Sequence, residues 1–354
     1  MITLAGLGAV ALVLVVLVAG QRPRAAASYT LPRRDICWLT PGEGFLLVCQ
    51  REGRLARLGG MAGAMFEAGA GWARAFTHPA GFCGRVTLAG ELALVSCADG
   101  RLRAVDVRSG EQVWERVAAG AAAEAAAAGG AAFFGADNGH LYAVKLSDGT
   151  PLWQVNLGAA IASAPLVTDE QVIVGTIAGV VHCVDRGTGR KRWRFRDPER
   201  VGPIYASPRS GPNSILVGSD DGKLCNISRE GELINSFQVG GLIRAPVAVA
   251  GGWVIVGDSA GRLCRVNQRD MTEKWCRRLS RAGGITAEPI VVGDRIWCAA
   301  GKYLVCLRTD TGRVLWRRKG SAQTTDCVRS GQSLYWATAD GVVRAVRTAE
   351  AGND

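Results

Sequence analysis

The sequence predicts an all-β chain, folded as an eight-bladed β-propeller of four-stranded antiparallel blades behind an N-terminal hydrophobic segment. Three observations predict it. Turn glycines recur as Gly53, Gly100, Gly139, Gly179, Gly222, Gly261, Gly301 and Gly341, at intervals of 47, 39, 40, 43, 39, 40 and 40 residues. A period in that range belongs to propellers or solenoids. Each period holds four short β-rich runs between Gly and Asp turns, the pattern of an antiparallel meander. The fourth run usually ends on Trp: Trp114, Trp153, Trp193, Trp275 and Trp316.

Residues 160–198 show one period in full. A short apolar run, Ala164-Pro165-Leu166-Val167, opens it. Val172-Ile173-Val174-Gly175 follows the Asp169-Glu170 turn, and Val180 to Val184 follows Ala178-Gly179. Arg192-Trp193-Arg194-Phe195 closes the period after Gly187-Thr188-Gly189. No run reaches the length and periodicity of a helix. Ser207-Pro208, Ala245-Pro246 and Glu288-Pro289 repeat the opening, where a Pro suits a strand start that needs no ladder donor. Phe237 takes the Trp place in the fifth period, and Trp72 is the candidate in the first.

Two segments depart from the pattern. Residues 121–130 are nearly all Ala and Gly. Alanine favours helix intrinsically, yet the register puts a first strand there, so a poorly packed strand is expected. The last period stops after Val342 to Val346 without a fourth strand. Residues 28–36 are the natural donor of the missing strand, and pairing the two ends would remove an exposed edge. The expected organisation is therefore a hydrophobic segment at 1–27, one propeller over 28–350, and a tail at 351–354. Each blade buries its faces against two neighbours, so the ring is one core.

Residues 104–114, with Asp106, Gly110 and Trp114, resemble the Ala-x-Asp-x-x-Thr-Gly-x-x-x-Trp repeat of quinoprotein-like (PQQ-like) β-propellers. Asp185 to Trp193 matches from the Asp onward, and Gly149 to Trp153 and Thr311 to Trp316 match the Gly-to-Trp half. The fifth period has Glu230-Gly231 and no Trp, and the sixth has Asp270-Met271 where the turn glycine belongs. The resemblance covers roughly residues 80–350. Within that family, length and blade number are most similar to the outer-membrane assembly lipoproteins of the BamB group. There is a fainter similarity to the propeller of aminoadipate-semialdehyde-dehydrogenase-like synthetases. The resemblance implies that each Trp docks on the neighbouring blade while the Gly makes the turn. It also implies a protein-interaction scaffold at a membrane, in envelope protein assembly.

The alternative that the resemblance brings is a dehydrogenase binding pyrroloquinoline quinone. Such enzymes use adjacent, disulfide-linked cysteines, calcium and an Asp base. This chain has no adjacent Cys, and Asp106 and Asp185 sit at turns, where a local backbone hydrogen bond is their expected role. Only His78, His140 and His182 are present, and no Cys-x-x-Cys occurs among the 11 Cys. No catalytic, cofactor-binding or metal-ligating set is therefore expected, nor a small-molecule substrate. Most cysteines, including Cys97, Cys183, Cys225, Cys264, Cys298 and Cys306, lie in apolar strand patterns and read as small buried side chains.

The formal net charge is +11, with cations concentrated after the repeat-ending Trp residues: Arg192, Arg194 and Arg196; Arg277, Arg278 and Arg281; Arg317, Arg318 and Lys319. These positions read first as charged cover for outer strands, and second as a rim for anionic lipid or acidic protein. Nucleic acid is not expected, because the aromatic residues follow the packing repeat rather than interleaving with the basic ones. Residues 2–20 carry no charge and suffice to cross a bilayer core as a helix. A membrane anchor is expected there; the alternative is a signal peptide cleaved near Ala25-Ala26-Ala27. Arg22, Arg24, Arg33 and Arg34 follow the run and argue for a cytoplasmic propeller. The resemblance argues for the extracytoplasmic face, which is the expectation adopted. The partners expected are other proteins, through the propeller faces or loops.

Overall fold

The computed structural model describes residues 27–30, 37–59, 61–62, 65–66, 75–118, 120, 122–199 and 202–348. Eight four-stranded antiparallel sheets form the blades of the propeller, and no helix occurs among the described residues. Blade 4 is representative, with strands Leu166–Val167, Gln171–Gly175, Val180–Asp185 and Lys191–Arg196 from the inside outward. All eight turn glycines join the second strand of a blade to the third, with φ between 55° and 93°. At Gly53 a side chain would also meet the His78 carbonyl oxygen, 1.8 Å from where its Cβ would lie, so backbone passes through that place.

Apolar residues on the two faces of each middle strand fill eight clusters, one between each pair of neighbouring blades. Between blades 2 and 3, Leu94, Leu102, Trp114, Phe134 and Tyr142 pack together. The alanine run belongs to this core. Ala126–Ala128 forms the short first strand of blade 3, and Ala122 and Ala125 are 1% and 3% exposed. The strand itself is only half-buried at all three positions, while Ala122 and Ala125 just before it join the core that holds Phe134 and Tyr142, whose rings stack at 5.1 Å.

Blade 8 closes the ring. Its three inner strands are Thr324–Ser330, Ser333–Thr338 and Val342–Arg347, and Ala27–Thr30 adds the outermost strand. Ala27 pairs with Ala345 and Thr30 with Val342. The donor begins one residue earlier than expected, and residues 31–36 lie outside the described residues. Both termini thus share one sheet, which removes an open edge.

The fourth strands carry the Trp register, and it corrects one assignment. Trp114, Trp153, Trp193, Trp275 and Trp316 lie opposite Ala104, Ala143, Cys183, Arg265 and Cys306. In blade 5 the equivalent residue is Asn235, opposite Asn226; Phe237 lies two residues further along, opposite Leu224. Trp72 lies outside the described residues, and the fourth strand of blade 1 is the short Phe76–Thr77.

Candidate functional site

Four of the five Trp residues span a blade junction in the same way. The indole N–H of Trp114 donates to the Leu146 carbonyl at 2.9 Å, Trp153 to Arg186 at 2.8 Å, Trp193 to Arg229 at 2.7 Å and Trp275 to Thr309 at 2.9 Å. Each ring lies on a turn glycine of the next blade: Gly149, Gly189, Gly231 and Gly312 would each place a Cβ 2.7 Å from a ring carbon. Trp316 packs edge-on against Trp297, with centroids 5.5 Å apart. Blades 5 and 6 explain each other's departure from the repeat. Asn235 donates to the Arg269 carbonyl at 2.8 Å, which is the bond a Trp would make. With no indole to lie on it, the facing turn position holds Met271 at φ 55° in place of glycine.

The turn aspartates bond locally. Asp106 Oδ1 accepts from the Arg108 and Ser109 N–H groups at 2.8 and 2.7 Å, and Asp185 Oδ1 from Gly187 and Thr188 at 3.1 and 2.9 Å. Arg192 and these bonds lower the Asp185 pKa to about 2. The three histidines are scattered. His78 approaches Asp99 at 3.6 Å, His140 lies beside Tyr142, and His182 is buried in blade 4. Burial, then Lys191 and Arg194, push the His182 pKa down to about 4, so its ring is neutral. Among the described residues no group of three His, Cys, Asp or Glu side chains is placed to hold a metal ion.

Cys264 is buried as expected, and the cysteines add one feature. Cys264 and Cys276 face each other across the third and fourth strands of blade 6 and form a disulfide, so Cys264 is not a free thiol. The pair is 12 residues apart across a hairpin, and its signal was the register, since both residues lie opposite one another around the Asp270-Met271 turn. Cys298 and Cys306 are both buried and free, and they face opposite sides of blade 7.

Two places remain for binding. The first is on the face that carries the eight glycine turns. Most exposed large apolar residues lie on outer strands, but Ile177 and Tyr205, 40% and 38% exposed, sit on loops of that face. They are brought together because the Ile204 N–H donates to the Thr176 carbonyl at 3.1 Å. Arg244 of the next blade lies 5.1 Å over the Tyr205 ring and pairs with Asp220 at 2.7 Å. Tyr and Arg around an apolar centre are the residue types that dominate protein interfaces.

The second place is the central channel. Inner-strand edges face it, and side chains satisfy part of them across blade junctions. Thr40 donates to the Val86 carbonyl at 2.7 Å, Thr87 to Ala125 at 2.6 Å and Thr286 to Thr324 at 3.0 Å. Asp326 accepts the Leu39 N–H at 2.8 Å. Arg85, Glu124 and Glu288 stand two residues before the first paired residues Thr87, Ala126 and Ile290 of their blades, and Asp326 lies in the first strand of blade 8; the same offset in blades 4, 5 and 6 gives Ala164, Ser207 and Pro246. Arg85 clasps Asp326 across blade 1, and Arg209 clasps Glu288 across blade 6 with its Nη2 2.5 Å from Oε2. A cavity of about 400 Å³ lies here, lined by Pro41, Val249, Ile290, Val291 and Val328 and by the charged side chains Arg85, Glu288 and Arg329.

Comparisons with known proteins place this ring. A family profile described as "Outer membrane protein assembly factor BamB" matches residues 98–210, 178–278 and 276–351. The BamB of Shewanella oneidensis is 26% identical over 251 residues, 66% of this chain and 55% of the relative. That of Burkholderia pseudomallei is 25% identical over 246 residues, 64% of this chain and 63% of the relative. In both, the chain spans less than two thirds of the relative's length. The crystal structure of BamB from Moraxella catarrhalis superposes with a TM-score of 0.76 at 19% identity, covering 90% of this chain and 98% of that one. The repeat architecture and the profile matched from residue 98 to residue 351 show that the chain belongs to the BamB family of PQQ-like β-propellers.

Proposed function

We propose that the chain is a non-catalytic scaffold that holds other proteins at the envelope membrane, on its periplasmic side, during outer membrane protein assembly. The single observation that carries the reading is membership of a family described by that role. The site chemistry supports it. The indoles that a quinone would need for stacking are committed to blade junctions by hydrogen bonds and by glycine contacts. The Cys264–Cys276 disulfide suits an oxidising compartment. The cytoplasmic side suggested by the arginines after residue 20 finds no support in relatives named for outer membrane assembly.

In this reading the Ile177–Tyr205–Arg244 cluster is the contact surface, since binding residues ride on loops that a rigid ring positions. Residues 2–20 lie outside the described residues, and we propose that they stay attached as the membrane anchor. Isolation of the tagged full chain from detergent-solubilised membranes tests the scaffold reading. Co-isolation of outer membrane assembly proteins is expected. Recovery of the chain alone, together with dye-linked alcohol oxidation on addition of quinone and calcium, would overturn it. N-terminal sequencing of the same material should begin at Met1 or Ile2, whereas a start near Ser28 would show that the segment is cleaved.

A further inference from the structure

The junction between blades 7 and 8 brings two arginines face to face near the rim. The outermost strand of blade 7, Val314–Lys319, carries Trp316 and then Arg318, which pairs in register with Leu304. Leu304 and Trp316 belong to the apolar cluster shared with blade 8, so alternation along the strand turns Arg318 to the same side. From blade 8, Arg344 pairs in register with Trp336, a member of that cluster, and so faces blade 7. The two guanidinium groups lie near enough for Arg318 to oppose the charge on Arg344. Other junctions fill these positions with uncharged side chains: Phe195 against Cys225, and Phe237 against Cys264.

The pair is short of acceptors. Arg344 is held by hydroxyl groups, with its Nη2 2.9 Å from Ser321 Oγ and its Nη1 3.3 Å from Thr338 Oγ1. Asp340 is the carboxylate that acts on Arg344, yet it accepts from Thr338 Oγ1 at 2.6 Å and ion-pairs with neither arginine. Arg318 is half-buried and makes no hydrogen bond or ion pair among the described residues. No carboxylate acts on it either. In the same cluster the indole N–H groups of Trp297 and Trp336, both fully buried, have no acceptor. A desolvated cation without a partner and buried donors without acceptors are all destabilising. The apolar residues of the other blades avoid that cost, so the junction is arranged for an acceptor from outside.

We propose that the junction of blades 7 and 8 binds a carboxylate, which Arg318 takes on its free guanidinium fork and Arg344 supports from the facing strand. A carboxylate offers two coplanar oxygens that match the fork, and one negative charge for the one arginine left without a partner. Ser321 and Thr338 already fix Arg344, so part of the ordering cost is met before binding. Arg318 stands on the outermost strand, so the site opens to the rim. The same chemistry is offered by an acidic side chain of a bound protein or by a free carboxylate. This inference does not rest on the scaffold reading, and either can fail without the other.

The test is calorimetric titration of the full chain in detergent, at fixed ionic strength. The probes are acetate, a doubly blocked tripeptide with a central Glu, and the same tripeptide with Gln. Acetate and the Glu tripeptide should bind in the millimolar range or tighter, and the Gln tripeptide about tenfold more weakly or not at all. Arg318→Val introduces the residue type that blade 3 has as Val155, opposite Leu141. It should remain folded by circular dichroism and weaken the Glu tripeptide about tenfold or more. Acetate in place of chloride should raise the urea midpoint of the parent and leave that of Arg318→Val unmoved. Tighter binding of the Glu tripeptide than of acetate assigns the site to a protein side chain, and the reverse order assigns it to a free carboxylate. Absence of binding by both, equal binding of the Gln tripeptide, or unchanged binding to Arg318→Val would overturn the proposal.

Discussion

Replacing Trp114 by Ala, alone and together with Gly149→Ala, tests how one blade is fastened to the next. Trp114 is 7% exposed and bonded to the Leu146 carbonyl. Its removal should cost about 3–5 kcal/mol through the cavity and the carbonyl left unpaired. Gly149 has φ 71°, and a Cβ there would stand 2.7 Å from the Trp114 ring. Gly149→Ala therefore costs roughly 1–2 kcal/mol for the left-handed backbone, and about 1–3 kcal/mol more for overpacking against the indole. Without the indole only the backbone part remains. The double variant should thus be about 1–3 kcal/mol more stable than the sum of the single effects. Gly251 supplies the control, because its φ is 56° but nothing lies within 4 Å of its Cβ position. Gly251→Ala should add to Trp114→Ala without coupling. Urea midpoints and slopes, followed by far-ultraviolet circular dichroism, give the energies. Additivity within about 0.5 kcal/mol for the Gly149 pair, as for the control, would refute the docking account.

Four further outcomes follow from named contacts. Asn235→Trp alone should destabilise blade 5, because Met271 occupies the place where the ring must lie, and adding Met271→Gly should recover stability; unfolding midpoints of both variants check this. Glu124 has its folded pKa raised from 4.5 to about 7, so the folded state holds the extra proton and stability should fall as pH rises through that window. Glu124→Gln should therefore exceed the parent by roughly 1–3 kcal/mol at pH 8, discounted for solvent screening, and converge with it below pH 4.5. His182 has the opposite sign: its pKa is lowered from 6.5 to about 4, so stability is lost as pH falls through that range, and His182→Gln should flatten that slope. Alkylation of the denatured, unreduced chain should leave Cys264 and Cys276 unlabelled and label the eight free cysteines among the described residues, read by peptide mass spectrometry, and label on Cys264 and Cys276 would mean that the disulfide does not form.

The architecture was legible because it repeats. Eight glycine turns and a recurring Trp carry the same physical demand in each blade, so the copies reinforce one another even where single matches are weak. The closing strand was legible from a deficit, the missing fourth strand after Val346. The site was less legible, because it is assembled between copies. Asn235 replaces a Trp by supplying only its hydrogen bond, which no apolar pattern announces, and Phe237 drew attention by its size. Arg85, Glu124, Glu288 and Asp326 are far apart in sequence and meet only when the inner strands are aligned by register. A charged residue at a level filled elsewhere by Ala, Ser or Pro was their signal. Tyr205 and Arg244 lie in loops outside the repeat pattern, and only the ring brings them together.

The most direct test of the scaffold account is photo-crosslinking in living cells from a crosslinker placed at Tyr205, with a second at Val113 on an outer strand of blade 2 as the reference position. The account predicts adducts with outer membrane assembly proteins from position 205, and their loss when Arg244 and Ile177 are both replaced by Ala in a chain that still folds. Adducts from Val113 alone, or adducts only with cytoplasmic proteins, would contradict it.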